Sequence, residues 1–190
     1  MRCKMLMMIV LAGASMMAAA TEVEVIPYGP PPLLNGREST NEWLYPFVME
    51  WGWNGVLVRL KQDSHFVYIG VVDRDTVHTG LDLYLDNMAG EIMMLHVSSA
   101  HGQRRMENGG WDEIIYGPPE SWSSNVIESI FENGQMKFLF PDVFEFQIKK
   151  VLLPLRTFKI MAHLKRPDKT FPPNSDSLTS DYWFEVELYR

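Results

Sequence analysis

Val56-Leu57-Val58-Arg59-Leu60-Lys61-Gln62-Asp63-Ser64-His65-Phe66-Val67-Tyr68-Ile69-Gly70-Val71-Val72 decides the fold class. Its first part alternates, with Val56, Val58 and Leu60 on one face and Arg59 and Lys61 on the other. Period two is the signature of a half-buried strand. Lys61-Gln62-Asp63-Ser64 is polar turn chemistry and predicts a hairpin. His65–Val72 is apolar on both faces, which predicts a central strand covered on each side.

The same pattern runs outward in both directions. Leu81, Leu83 and Leu85 alternate with Asp82, Tyr84 and Asp86. Within Glu91–Ser98, Met93, Leu95 and Val97 share one face, and Met94, His96 and Ser98 the other. Asp112–Tyr116, Asn125–Glu132 and Lys137–Phe140 read as strands, the last pair joined by a turn at Asn133-Gly134. Phe144, Phe146 and Ile148 alternate with Glu145 and Gln147, and Phe158–Leu164 and Tyr182–Leu188 close the chain. Glu22–Tyr28 is a short leading strand, followed by the stiff spacer Gly29-Pro30-Pro31-Pro32. Helix is confined to one turn at most in Lys149–Leu155, before Pro154. Many short strands with β-branched and aromatic enrichment predict an all-β, two-sheet antiparallel β-sandwich of immunoglobulin-like or jelly-roll type.

The first twenty residues stand apart. Arg2 and Lys4 precede the apolar run Met5–Leu11, and Ala18-Ala19-Ala20 supplies small residues before Thr21. That order predicts a signal peptide over 1–20 and a single domain over 21–190, secreted or periplasmic, with no membrane span in the mature chain. The one cysteine, Cys3, falls inside the signal, so no disulfide is expected. Losing Arg2 and Lys4 takes the formal charge from −7 to −9. Such an acidic chain, with no basic cluster, is unsuited to nucleic acid.

Several motifs follow one another in a familiar order. Leu34-Asn35-Gly36 and Glu42-Trp43 are similar to the opening of family 9 carbohydrate-binding modules and the related DOMON-like domains. Phe66-Val67-Tyr68-Ile69-Gly70-Val71, Leu81–Asp86, Phe144–Ile148 and Tyr182–Val186 resemble their later strands. The likeness spans residues 33–188, with Asn35 where Asp is usual and Lys149-Lys150 where an Ile-Pro pair is common. The resemblance implies a β-sandwich. It leaves the ligand open, because such domains include sugar binders, haem binders and uncharacterised envelope proteins.

For sugar recognition the chemistry wants flat apolar rings beside hydroxyl acceptors. Trp111, Tyr116 and Trp122, with Asp112, Glu113 and Glu120, lie in a stretch punctuated by Gly109-Gly110 and Pro118-Pro119, which marks a loop. These six are the candidate ligand-binding residues; packing at the ends of the core is the competing reading for the tryptophans. Asp73, Asp75, Asp82 and Asp86 are the candidate metal ligands, calcium being the cation that such carboxylates take, although turns and solvated strand faces also account for them. Haem is disfavoured, because Met94 and His96 share one face of a strand and cannot clamp it from opposite sides. The histidines lack zinc spacing. Ser98, Ser99 and His101 lack the context of a nucleophile elbow. The sequence therefore predicts a non-catalytic exported domain binding carbohydrate or a related polar ligand. The alternatives are an envelope protein–protein interaction domain and a haem-binding electron-transfer domain.

Overall fold

A computed structural model describes residues 23–39, 41–50 and 55–189. The expected signal peptide, with Cys3, and the residues Trp51 and Trp53 lie outside the described residues. In chain order the strands are β1 (Glu24–Ile26), β2 (Phe47–Glu50), β3 (Val56–Gln62), β4 (Phe66–Asp73), β5 (Gly80–Asp86), β6 (Ile92–Val97), β7 (His101–Glu107) and β8 (Gly110–Trp111). They continue as β9 (Ile115–Tyr116), β10 (Trp122–Ser124), β11 (Glu128–Glu132), β12 (Gln135–Leu139), β13 (Phe144–Lys149), β14 (Thr157–Lys165), β15 (Lys169–Phe171) and β16 (Phe184–Leu188). Between β13 and β14 the chain makes one 3₁₀ turn, Lys150–Leu152. Among the described residues no helix is long and apolar enough to cross a membrane.

The strands form two packed sheets and a separate hairpin. The nine-stranded sheet runs β1-β16-β14-β5-β6-β7-β8, with β15 on β14 and β9 on β7. The five-stranded sheet runs β10-β13-β4-β3-β2, and among the described residues β11 pairs only with β12. Among the described residues pairing is antiparallel except where β1 lies parallel to β16 and where Tyr28 bridges Gln62. Alternate residues of both sheets meet in one core: Leu81, Leu83, Leu85, Phe158 and Ile160 from one side, Val58, Leu60, Ile69, Phe146 and Ile148 from the other. This is the expected β-sandwich, and β4 is the central strand that its doubly apolar sequence requires, flanked by β3 and β13.

Some expectations shift. Asp112–Tyr116 is not one strand; β8 and β9 are two-residue pieces, each paired to β7. Asn125 precedes β11 and is a buried hydrogen-bond hub, its Nδ2 donating to the Val143 carbonyl and its Oδ1 accepting from the Glu145 amide at 2.6 Å. Lys61 does not reach solvent. It is 1 % exposed, because the segment before β2 covers the outer face of the smaller sheet.

That cover is anchored by Glu145. Its carboxylate is buried and accepts from Trp43 Nε1 at 3.0 Å and from the Gly36 amide at 2.9 Å. Glu145 pairs directly with Gly70, and a Cβ at Gly70 would stand 2.8 Å from the Trp43 ring. Only glycine leaves room for the indole to lie flat on the sheet. Gly36 has φ +72° and sits against Asn125 and Pro141, so its bend also requires glycine. Lys61 Nζ lies 5.1 Å from the centre of the Trp43 ring and donates to the Glu42 carbonyl. Arg59 pairs with Glu38 and holds the same segment.

Burial pushes the Glu145 pKa up, against the hydrogen bonds from Trp43 and Gly36. The native state therefore binds this proton more readily than the unfolded chain, and the residue's contribution to stability grows as pH falls through its raised pKa. Trp43→Phe removes one donor to a buried charge and should cost about 1.5–3 kcal/mol at neutral pH. Urea unfolding at pH 7 and in mild acid checks this: the loss should shrink once Glu145 is protonated.

Candidate functional site

One end of the sandwich gathers the β4–β5 loop, the β6–β7 turn, the approach to β11 and the return from β12. The register fixes this, since Val56 pairs with Asp73, Gly80 with Lys165 and Val97 with His101. A cleft of about 470 Å³ opens here, between residues 73–78 on one side and Phe140-Pro141-Asp142 on the other, with Glu38 at its rim. A neighbouring groove of about 410 Å³ shares Val77, Phe140, Pro141 and Asp142 and continues past Asn35, Arg37 and Glu128. Both volumes fall within the usual range for ligand sites.

The loop wall is rigid because of Asp73. Its carboxylate, with no exposed side-chain surface, lies 2.7 Å from His78 Nε2 and 2.6 Å from Lys169 Nζ, and accepts from the Asp75 amide at 3.0 Å. Burial would raise the Asp73 pKa, but the hydrogen bonds from Lys169, His78 and the Asp75 amide outweigh it and hold the carboxyl below its ordinary value. His78 is 3 % exposed, and its Nδ1 has no hydrogen-bond partner in the protein. Asp75, Arg74 and Asp142 are exposed along the cleft, and Phe140 is 42 % exposed. The cleft thus combines an aromatic wall with acceptors and one guanidinium.

The residues singled out in the sequence do not converge. Trp122 is 4 % exposed in the core, stacked on Phe146 with ring centres 6.0 Å apart, and its Nε1 donates to Gln103. Its position on β10, paired with Ile148, points it inward, so it offers no open ring face. Trp111 is half-buried on the outer face of the larger sheet. Tyr84 meets it edge-on and the Arg104 guanidinium covers it, 4.7 Å from the ring centre. Tyr116 is 62 % exposed and touches His96 edge-to-face. Asp112 and Glu113 are exposed, and Glu120 lines a different cleft of about 370 Å³ with Arg104, Arg105 and Pro118-Pro119, which has no aromatic wall.

The four aspartates are likewise separate. Among the described residues no three acidic, histidine or cysteine side chains gather to hold a metal ion. Asp82 lies 2.6 Å from His96 and 2.8 Å from Lys165, Asp86 accepts from Ser180 Oγ and the Met88 amide, and Asp75 faces the cleft. Asp73 and Asp82 each pair with a lysine, so the four carboxylates do not converge on one point. Met94 and His96 do share the outer face, as the alternation of β6 requires.

Phe140, Asp142 and His78 were not among the sequence candidates. For Phe140 and Asp142 the signal was present in Phe138-Leu139-Phe140-Pro141-Asp142, an aromatic pair running into a proline turn; His78 carried none. Comparison with protein-family models, curated proteins and solved structures finds no match for this chain.

Asp73→Asn should destabilise the fold by about 3 kcal/mol at neutral pH, by removing the buried charge that Lys169 and His78 both contact. Because the Asp73 pKa is depressed, its stabilisation is present above the ordinary carboxylate range and lost as pH falls through the lowered pKa. Denaturation midpoints of the two proteins should therefore converge in acid.

Proposed function

We propose that the chain is an exported β-sandwich binding module whose ligand is a carbohydrate or a related polar molecule with one apolar face. The observation that carries this reading is the cleft at the sandwich end, where the exposed Phe140 stands opposite Asp75 and Arg74, beside Asp142. A sugar presents C–H groups to an aromatic face and hydroxyls to carboxylates and guanidinium, which is the pairing found here. Asp75 and Asp142 would accept hydroxyl protons, and Arg74 would donate. The adjoining groove past Asn35, Arg37 and Glu128 would accept a further unit, favouring an oligosaccharide over a single sugar. Secretion or periplasmic location follows from the N-terminal signal pattern and suits an acidic, disulfide-free module.

Isothermal titration against a panel of neutral oligosaccharides tests this. Binding of at least one is expected, weakened about tenfold (about 1.4 kcal/mol) by Phe140→Ala and left unchanged by Trp111→Ala. Absence of heat across the panel overturns the reading.

The hairpin β11–β12 favours a second reading, contact with a partner protein. Phe131 is 76 % and Met136 63 % exposed, and these two pair across the hairpin on the same face as Phe138. Both outer edges of the hairpin are unpaired among the described residues. The double change Phe131→Ser, Met136→Ser should leave stability within about 0.5 kcal/mol while dissolving any complex that depends on this face, read by size-exclusion chromatography with the partner.

A further inference from the structure

On the outer face of the larger sheet, the register sets His163, Asp82, His96 and Gly102 side by side across four strands. Asp82 Oδ1 is 2.6 Å from His96 Nδ1, and His96 Nε2 is 3.0 Å from Ser98 Oγ. Facing an ionised carboxylate, Nδ1 carries the ring proton, so the Nε2 lone pair accepts the Ser98 hydroxyl. These are the two contacts that define a serine nucleophile, its base and the group orienting the base, on whatever fold they occur. The carboxylate is itself fixed, since its other oxygen lies 2.8 Å from Lys165 Nζ, which contacts His163 Nδ1 at 2.8 Å. The edge-on Tyr116 ring, 6.2 Å away, braces the imidazole.

Ser98 is half-exposed and opens the turn between β6 and β7. The next two amides, of Ser99 and Ala100, donate no backbone hydrogen bond among the described residues and so remain free as donors. Ser98 also lines a pocket of about 190 Å³ whose walls include Ile127, Phe138 and Phe140. That volume is small, and away from Thr79 and the two serines its walls are apolar, which suits a short acyl chain.

The geometry points to an acyl-transfer site at Ser98, with His96 as base and Asp82 as its orienting partner, acting on esters of short-chain acids. Ser98 Oγ attacks the carbonyl carbon while its proton passes to His96 Nε2. The bond to the alcohol oxygen then breaks, and that oxygen takes the proton from His96. Water, deprotonated by the same imidazole, attacks the acyl-serine; the free acid leaves and the hydroxyl is restored. Lys165 shares the Asp82 charge and weakens its hold on the imidazolium, so turnover is expected to be slow beside that of dedicated hydrolases. This site stands apart from the sugar-binding reading, although Phe140 borders both.

The test treats the full chain with a fluorophosphonate probe and locates the adduct by peptide mass spectrometry, with p-nitrophenyl acetate hydrolysis as a second readout. Labelling at Ser98 is expected, abolished in Ser98→Ala and slowed at least 100-fold in His96→Gln, with both variants retaining the far-ultraviolet dichroism of the parent. No adduct, an adduct elsewhere, or Ser98 labelling at an equal rate in His96→Gln overturns the inference. Those outcomes leave sugar titration untouched, so the two readings fail separately.

Discussion

The fold hangs on one buried carboxylate. Glu145 sits on an interior strand of the smaller sheet, where an unpaired charge would be costly, and it is held by donors from a segment more than a hundred residues earlier. That dependence runs both ways. The carboxylate needs Gly36 and Trp43, and the segment holding them has little regular structure of its own, so Glu145 is what fastens it. Gly70 completes the arrangement by being absent as a side chain. The consequence reaches the cleft, because Asn35, Arg37 and Glu38, which border the grooves at the sandwich end, belong to this same tethered segment.

Much of the sandwich was legible in the chain. Wherever one face of a strand is buried, alternation writes it into the sequence, and β3, β5, β6, β13 and β14 all fell where the pattern placed them. The strand β7 was not legible. His101-Gly102-Gln103-Arg104-Arg105-Met106-Glu107 lacks an apolar face and is held mainly by pairing with β6, a backbone interaction without side-chain signature. Lys61 misled for the opposite reason, since its charge predicts solvent but the covering segment comes from elsewhere in the chain. Convergence is a three-dimensional property, and this is why the candidate site fared worse than the fold. Trp122 looked like a loop aromatic from its glycine- and proline-rich surroundings, yet three residues of β10 suffice to turn it into the core. The cleft residues Asp75 and Asp142 are 67 positions apart, and no spacing rule could have joined them.

The two faces of the molecule solve the same problem differently. On the smaller sheet, the outer face is roofed by chain. On the larger sheet it is covered piecemeal, by Trp111, Trp183 and Ile114 over Tyr84, Met94 and Met161, leaving the polar row from His163 to His96 beside them. Charge in that row is balanced internally: burial would raise the Asp82 pKa, but His96 and Lys165 more than offset it and keep the carboxyl below its ordinary value. A compensated polar row within an otherwise apolar face is well ordered without being inert.

The hairpin β11–β12 has a further consequence for how the protein behaves in a crowded setting. Two strands whose outer edges are unpaired among the described residues, carrying Ile130, Phe131, Met136 and Phe138, make a template onto which other extended chains could add. Glu128, Glu132 and Lys137 punctuate the same strands, and the Glu132–Lys137 pair places charge at the tip. Those charges are gatekeepers against runaway strand addition. Neutralising them, rather than opening the core, would be the shortest route from this sandwich to a fibrous architecture.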